Sequence, residues 1–340
     1  MKKSQVTQHD VAELAGVTRS MVSYVLNGSS RNVAPETRQK ILAAIDELGY
    51  RPNKFAQALS MGNKGVMANR HIGIVLCNAE MFLRPYYAEI LTGIHTAAYE
   101  KGYHIRFLRF FDEFKDPVLF NQLVDSEEIC GLILVATDQC LKTEEDQQLI
   151  ERVRNKIDQI VCLEWQITGL SSVSFDRQEA ALRVTQFLFE KGYKDIAYLG
   201  ESDQRVTGFK QAFLENGVDT SSLYIDAAAD MESGYSAVKR LHQNCSKLPS
   251  AIFAGSDEVA VGVLRYLHEH DIKVPDKIAL ISIDNIEIAQ YTSPELTTMN
   301  VQKRAMGYRS VEMIVNRNAN QGENAITLLL PTNLIIRKSV

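Results

Sequence analysis

From His71 onward, short apolar runs alternate with amphipathic stretches, and this alternation limits the fold more than any other feature of the sequence. Runs rich in Ile, Val and Leu occupy residues 72–77, 105–110, 132–135 and 160–163. Residues 86–100 have the spacing of an amphipathic helix, which Gly102 closes. Strands that alternate with helices form parallel sheets, so we expect an α/β fold.

The alternation restarts after Val173, which predicts a second lobe. A helix is expected over residues 178–190, and later strands over 196–199, 251–254 and 278–283. We place the first lobe at about 71–163 and 300–325, and the second at about 173–292, within a core of 71–340. Ligands of open parallel sheets bind beyond the carboxyl ends of the strands, here in the cleft between the lobes.

Residues 1–50 predict a separate all-α head. Thr7 and Asp10 have the spacing of a capping box, and that helix should end near Ala15. A tight turn at Gly16 leads to a second helix over residues 19–26, and Pro35 starts a third. This is a helix-turn-helix, an arrangement that lays its second helix in the major groove of DNA.

Residues 51–70 read as a linker with a short hinge helix. Pro52 interrupts the chain, and Asn53 is placed to cap a helix over residues 54–60. So short a helix is marginal in isolation, so we expect it to order only against a partner.

Charge is divided unevenly along the chain. Residues 1–64 carry nine Lys/Arg and five Asp/Glu, a net charge of +4, whereas the remainder carries −9. A basic head suits contact with phosphate, although surface charge also varies by such amounts without function.

Other signals exclude several classes of protein. The five cysteines form no C-x-x-C pair and are expected to be small buried thiols in a reducing compartment. The N-terminus lacks the apolar run of a signal peptide, and no stretch reaches 18 apolar residues, so we expect a cytoplasmic protein without membrane association. Motifs of nucleotide-binding and hydrolytic enzymes are missing, and His268 and His270 are poorly spaced for a metal, so we expect no enzyme, no cofactor and no metal.

An ordered series of segments resembles the lactose-repressor (LacI/GalR) family of transcription regulators. The head matches over residues 7–27 and the linker over ELGYRPNKFAQAL. The core matches in HIGIVL, RPYYAEILTGIHTAAYEKGY, CGLILVATD, FLFEKGYKDIAYLG, AIFAGSDEVAVGVLRYL, VPDKIALISIDN and PELTTM. The resemblance covers nearly the whole chain. It implies a DNA-binding repressor with a two-lobed core like that of periplasmic binding proteins.

Side chains near the start of the second helix are the expected readers of base edges. Arg19 suits either a guanine fork or a phosphate contact. The family usually has Arg where this chain has Tyr24, so its operator cannot be copied from relatives. The resemblance implies that Leu59 wedges into the minor groove, with packing inside its own domain as the alternative. The predicted DNA-binding residues are Thr7, Thr18, Arg19, Ser20, Ser23, Tyr24, Asn27, Asn53, Lys54, Gln57 and Leu59.

Polar and aromatic residues after the predicted core strands are the candidate effector ligands. These are Tyr86, Tyr87, Asp176, Arg205, Ser256, Asp257 and Asp284. Carboxylates, a hydroxyl and an Arg around a cleft suit a sugar or another polyol. Helix capping is the alternative role of Asp176 and Asp257. Trp165 fits core packing better than ligand stacking.

The cleft also departs from the family pattern. Ala229 stands where an aromatic residue is common, and the common Gln appears as Val301, with Gln302 one place later. The identity of the effector therefore cannot be copied from relatives either.

The resemblance implies a homodimer that binds a near-palindromic double-stranded operator and responds to a small, polar, carbohydrate-like effector. After residues 326–330 the sequence shows no heptad repeat that would join dimers into a tetramer. The alternatives are a solute-binding protein and a two-lobed enzyme with an accessory helical head. Allostery allows the effector either to release DNA or to promote binding.

Leu59→Ala should weaken specific DNA binding by on the order of 1–3 kcal/mol, because the wedge and the bend it stabilises are lost.

Tyr24→Arg should shift the preference at one base pair of each half-site toward guanine. Selection from random duplexes with the wild type and both variants measures these changes. Recovery of one motif with equal enrichment by all three proteins would contradict both roles.

Overall fold

The computed structural model describes residues 6–26, 33–48, 50, 70–218, 224–245, 247–317 and 325–340. It divides into two compact units, Met1–Ala68 and Asn69–Val340, of which the first holds the head and the second the core. The predicted sites at Asn27, Asn53, Lys54, Gln57 and Leu59 lie outside the described residues.

The described part of the head contains three helices, α1 (Gln8–Ala15), α2 (Arg19–Leu26) and α3 (Pro35–Leu48). Thr7 and Asp10 form the expected capping box, and Gly16 ends α1 at φ 65°, a left-handed conformation that glycine adopts without steric cost. The small apolar core that joins the helices consists of Val11, Ala12, Ala15, Val22, Val25, Ile41, Ala44 and Tyr50.

The core alternates strands and helices, as the sequence predicts. Its strands are β1 (His71–Leu76), β2 (His104–Phe110), β3 (Gly131–Val135), β4 (Ile160–Leu163), β5 (Ser171–Ser174), β6 (Ile196–Gly200), β7 (Tyr224–Asp226), β8 (Ala251–Ala254), β9 (Ala279–Asp284), β10 (Thr297–Asn300), β11 (Thr327–Leu329) and β12 (Asn333–Ile335). Its α-helices are α4 (Pro85–Glu100), α5 (Pro117–Leu123), α6 (Glu144–Arg154), α7 (Arg177–Glu190), α8 (Gln204–Glu215), α9 (Met231–Asn244), α10 (Asp257–Glu269) and α11 (Lys303–Arg317).

The strands form two six-stranded sheets, one in each lobe. The first has the order β11-β5-β4-β3-β1-β2 and the second the order β12-β10-β9-β8-β6-β7. The pairs are parallel except for β10 with β12. The central strands β3 and β9 are buried along their full length, as expected for parallel strands covered by helices on both faces.

The chain crosses between the lobes three times, which moves the predicted lobe limits. The structure pairs β5 with β4, so the second lobe begins after Ser174 rather than at 173. β10 belongs to the second sheet, and the chain then returns to the first lobe, where α11 packs on α4. β11 adds an edge strand to the first sheet, and β12 adds one to the second. The sequence does not indicate which sheet each of these strands joins, because the strands are only three or four residues long.

Cys77 and Cys140 form a disulfide, which corrects the expectation of five separate thiols. Cys77 follows β1 and Cys140 follows β3, and these strands are paired neighbours. Their exit segments therefore emerge side by side, although 63 positions separate the two cysteines along the chain. Cys130, Cys162 and Cys245 do not take part in this disulfide.

No helix among the described residues is long and apolar enough to span a membrane.

Helices α4 and α11 approach each other through two glycines. A methyl group at Gly307 would overlap the carbonyl oxygen of Ile90, and one at Gly93 would overlap that of Arg304. Backbone lies against backbone at both points, so no flexible side chain is available to move aside.

Gly307→Ala should lower the free energy of unfolding by about 1–3 kcal/mol, because the added methyl forces the two helices apart. Asn316→Ala, at an exposed position on the same helix, is the matched control. Urea denaturation followed by circular dichroism measures both. Equal stability of the two variants would show that this helix pair tolerates the wider spacing.

Candidate functional site

A cavity of about 320 Å³ lies between the lobes of the core. Its walls come from segments that follow the carboxyl ends of strands in both sheets, as the topology of parallel sheets dictates. The lining residues are Arg84, Tyr86, Tyr87, Gln139, Glu164, Trp165, Phe175, Arg177, Glu201, Asp203, Gln204, Arg205, Ala229, Ser256 and Asp284.

Several residues at this edge of the sheets have left-handed backbone conformations. Glu164, directly after β4, has φ 76°, and Asp284, at the end of β9, has φ 122°. Non-glycine residues hold such conformations only where the surrounding structure fixes them, and they concentrate at binding sites. The strain therefore marks the same edge of the sheets as the cavity.

Arg205 lies at the start of α8 and is only 7% exposed. Its guanidinium donates to Asp203, to Glu201 Oε2 at 2.6 Å and to the Gly255 carbonyl oxygen at 2.6 Å. Although burial opposes its charge, Tyr198 and the two carboxylates keep its pKa well above the usual value. Arg205 therefore lines the cavity as predicted, but protein acceptors already engage its Nε, Nη1 and Nη2.

Tyr86 and Tyr87 follow Pro85 at the start of α4 and are both buried. Their rings meet edge to face at 5.4 Å between centroids. Burial raises the pKa of Tyr86 well above 10, so its hydroxyl remains a donor at neutral pH. This hydroxyl and Glu164 Oε1 are buried polar atoms that make no hydrogen bond of good geometry, although the two side chains lie close enough to interact with each other. Such atoms are rare in folded proteins, and here both belong to residues that line the cavity.

Asp284 ends β9 and lines the cavity, as predicted. Burial, with the nearby Asp257 carboxylate, raises its pKa well above the usual value, while Lys303 and Arg205 oppose the rise. Lys303 Nζ donates to the backbone carbonyl oxygens of Asp284, Asn285 and Val301, and this fixes the turn that carries Asp284.

Two predicted effector ligands have structural roles instead. Asp257 is fully buried and does not line the cavity: its carboxylate accepts from Ser282 Oγ (2.5 Å), Thr298 Oγ1 (2.6 Å) and the Ile286 amide (2.7 Å). Asp176 accepts from the Glu179 amide at 2.8 Å and caps α7. A position after a strand therefore does not by itself distinguish a cavity residue from a helix cap or from a carboxylate buried in the core.

Ser256 has both roles. Its hydroxyl accepts from the Val259 amide at 3.2 Å and caps α10, and the residue also lines the cavity.

The expectation that Trp165 packs in the core is wrong. The residue lines the cavity and is 45% exposed. Sequence analysis also missed Arg84, Glu164, Arg177 and Glu201. Glu164 and Glu201 directly follow β4 and β6, which is the signal that identified Asp284 and would have found them too.

The helix-turn-helix positions its predicted DNA-binding residues on the outside of the head. Val22 and Val25 are buried, which turns α2 so that Arg19 and Ser20 are exposed. Thr7 and Thr18 are also exposed, and Ser23 and Tyr24 are half-buried. Arg19 Nε donates to Gln8 Oε1 at 3.3 Å, which links α2 to α1.

Two family models match the chain. Residues 7–53 match the model of bacterial regulatory proteins of the lacI family, and residues 185–340 match the periplasmic binding protein-like domain. The first match covers the helix-turn-helix, and the second covers much of the second lobe. The head therefore resembles lacI-family regulators, and the core resembles periplasmic binding proteins.

The curated relatives of this chain include transcriptional repressors. The chain is 26% identical to the HTH-type transcriptional repressor PurR of Vibrio parahaemolyticus, with 98% of each chain covered. It is 28% identical to the PurR repressor of Mannheimia succiniciproducens, again over 98% of each. The chain is accordingly a DNA-binding transcriptional repressor and not an enzyme.

Solved structures of lacI-family proteins share the fold. A complex of the regulator CelR with cellobiose is 25% identical, with a TM-score of 0.71, over 99% of this chain and 100% of that one. The lac repressor dimer bound to operator and the anti-inducer ONPF is 24% identical, with a TM-score of 0.71, over 99% of each chain.

Within the described parts of the chain, no group of three or more His, Cys, Asp or Glu residues is arranged to hold a metal ion.

Asp257 makes the stability of the core depend on pH. Burial raises its pKa to about 6, although three hydrogen bonds to the carboxylate oppose the rise. The folded state therefore binds more protons than the unfolded state between about pH 4 and 6. The free energy of unfolding should fall as pH rises through this window.

The measurement is the difference in unfolding free energy between wild type and Asp257→Asn, by urea denaturation from pH 4.5 to 7. This difference should fall by on the order of 2–3 kcal/mol, because the variant lacks the titrating group. Asp276→Asn, at an exposed position in the same lobe, is the control. A difference that rises with pH would contradict the assignment.

Proposed function

We propose that the chain represses transcription as a homodimer whose heads and linkers, residues 1–50 and 51–70, grip a near-palindromic operator. In this proposal the core, residues 71–340, binds a neutral carbohydrate or similar polyol in the cavity between its lobes. The observation that carries the choice of ligand is a group of oxygen atoms on the cavity wall. They belong to the Tyr86 hydroxyl and to the carboxyl groups of Glu164 and Asp284.

The charges of the cavity favour a neutral ligand over an anion. Of the lining residues, Arg84, Arg177 and Arg205 are cationic and Glu164, Glu201 and Asp203 are anionic, whereas burial favours the neutral form of Asp284. Each guanidinium already faces a protein carboxylate, at 2.8 Å for Arg84 with Glu258, 3.6 Å for Arg177 with Glu164 and 2.6 Å for Arg205 with Glu201. A phosphate would have to share any of these guanidinium groups with a protein carboxylate and would face the remaining carboxylates of the cavity.

The hydrogen-bonding groups suit hydroxyls. The Tyr86 hydroxyl and Glu164 Oε1 interact with each other without a hydrogen bond of good geometry, so a ligand group between them would accept from the first and donate to the second. A sugar hydroxyl supplies both functions from a single group. Asp284 adds a carboxylate on the same wall, and no described residue donates a hydrogen bond to it.

An aromatic face completes the fit. Trp165 is 45% exposed and lines the cavity, so its indole offers the apolar surface on which the C–H face of a sugar ring packs. The relative CelR was solved with cellobiose, which supports this ligand class for a chain of the same fold.

The head supplies the DNA-binding part of the proposal. Arg19 and Ser20 at the exposed start of α2 would meet base edges and phosphates, with Thr7 and Thr18 beside them. Lys54 and Leu59 would add phosphate grip and the minor-groove wedge.

A thermal-shift screen tests the ligand class. Cellobiose and other neutral mono- and disaccharides should raise Tm, whereas cellobiose 6-phosphate should not, because each guanidinium of the cavity already faces a protein carboxylate. Hypoxanthine and guanine are included because curated relatives carry the name PurR. Stabilisation by the purine bases alone would overturn the carbohydrate proposal.

Trp165→Ala should weaken binding of the stabilising sugar roughly 3- to 10-fold, the loss expected for one stacking face. Leu214→Ala removes a side chain that is 78% exposed and lies outside the cavity lining, and it should leave affinity unchanged. Titration calorimetry measures both, and equal affinities would place the sugar away from Trp165.

A further inference from the structure

Arg84 belongs to the first lobe but donates hydrogen bonds to the second. It lies between a 3₁₀ turn, Ala79–Leu83, and the start of α4. Its Nε donates to Glu258 Oε2 at 2.8 Å, and its Nη2 donates to the Ala229 carbonyl oxygen at 2.8 Å. These partners are 174 and 145 positions away along the chain, at the start of α10 and just before α9.

The first lobe holds Arg84 in place for these contacts. Its backbone amide donates to the Met81 carbonyl oxygen, and its own carbonyl oxygen accepts from the amides of Tyr87 and Ala88. The guanidinium also lies over the Tyr87 ring, 5.2 Å from the centroid, a cation–π contact. Contacts within the first lobe therefore support the orientation in which the side chain reaches the second lobe.

The ion pair between Arg84 and Glu258 is largely shielded from water, so its loss should change the balance between open and closed lobes. The side chains of Arg84 and Glu258 are 23% and 6% exposed. Burial raises the pKa of Glu258, and Arg84 opposes that rise. Without Arg84 the Glu258 carboxylate would be left buried and unpaired in the closed core, whereas separation of the lobes would return it to water.

One face of the same guanidinium remains open to the cavity. Arg84 lines the cavity, and its Nη1 makes no hydrogen bond with any residue of the described ranges. Arg205 differs, because its Nε, Nη1 and Nη2 are all engaged by protein acceptors. A ligand oxygen at Arg84 Nη1 would therefore contact a group whose other two nitrogens hold the second lobe.

We propose that Arg84 is a latch that couples effector occupancy to lobe closure: Nε and Nη2 bind the second lobe while Nη1 binds an effector oxygen. The part that concerns the effector rests on the proposed function, whereas the lobe contacts do not. Arg84 is a positioning residue for closure, and its contact with the effector makes it a determinant of specificity as well.

The test measures the ratio of closed to open cores. Single-molecule fluorescence energy transfer reports the distance between dyes on unnatural azide-bearing residues at positions 118 and 214. The native Val118 and Leu214 are 75% and 78% exposed, one in each lobe. Mixing with excess unlabelled chain leaves one labelled protomer in each dimer.

Without ligand, Arg84→Met and Glu258→Gln should each lower the closed-to-open ratio at least fivefold. Arg84→Lys should fall between them and the wild type, because a single ammonium replaces Nε but not Nη2. The double variant Arg84→Met/Glu258→Gln should lose no more than the single variants, since both remove one interaction. Arg265→Met is the matched control, because it removes a 3.0 Å ion pair with Glu269 inside α10. It should leave the ratio unchanged.

An unchanged ratio in the Arg84 and Glu258 variants, a shift matched by Arg265→Met, or additive losses in the double variant would overturn the latch. Urea denaturation of each variant checks that it is folded, and Glu258→Gln and Arg84→Lys retain the test if Arg84→Met does not fold.

With 10 mM cellobiose, the wild type should become more closed, and Arg84→Gln should lose at least tenfold in cellobiose affinity by calorimetry. If cellobiose binds the wild type and Arg84→Gln equally, the contact through Nη1 is wrong. If cellobiose does not bind the wild type, the proposed ligand fails while the ligand-free ratios still decide the latch.

Discussion

The buried carboxylate of Asp257 holds the corner of the second lobe on which the cavity depends. It accepts from Ser282 on β9, Thr298 on β10 and the amide of Ile286 in the turn after β9. Three elements that meet at the cavity edge are thereby fixed by a single side chain at the start of α10. Fully satisfied polar networks of this kind specify one arrangement of a core, whereas partly satisfied ones are costly.

The cavity depends on that corner because its residues are direct neighbours of the network. Ser256 precedes Asp257 in the chain, and Asp284 lies between Ser282 and Ile286. Asp284 shares the electrostatic field of Asp257, so the two carboxylates raise each other's cost of ionisation. Lys303, the first residue of α11, is also buried, and its positive charge offsets part of that cost. Structure and ligand recognition therefore draw on the same small group of charges.

The sequence predicted those features whose signals are local. The capping box at Thr7, the turn at Gly16 and the apolar runs of β1, β4 and β8 each lie within a few residues of one another, so the helix-turn-helix and the α/β lobes could be recognised. The place of β5 in the first sheet could not be predicted, because Ser171–Ser174 is polar in sequence although it is buried in the sheet.

The predicted cavity residues show the same limit, because local sequence signals identified some of them and could not sort the others. Position after a strand identified Asp284 but could not distinguish it from Asp257, since only the tertiary neighbours of each decide whether it faces ligand or protein. Arg84 was missed because its partners are more than a hundred positions away. The disulfide between Cys77 and Cys140 depends on neighbouring strands in the same manner.

The interleaving of the lobes has a consequence for how the chain folds during synthesis. β11 and β12, at Thr327–Leu329 and Asn333–Ile335, are edge strands of the first and second sheets. Neither sheet is complete until these residues have left the ribosome, even though most of each lobe has emerged long before. Until then both sheets present open edges at β5 and β10, the kind of surface that pairs with other chains. The nascent core therefore keeps two open sheet edges until both strands have emerged, and both lobes reach their final form almost together.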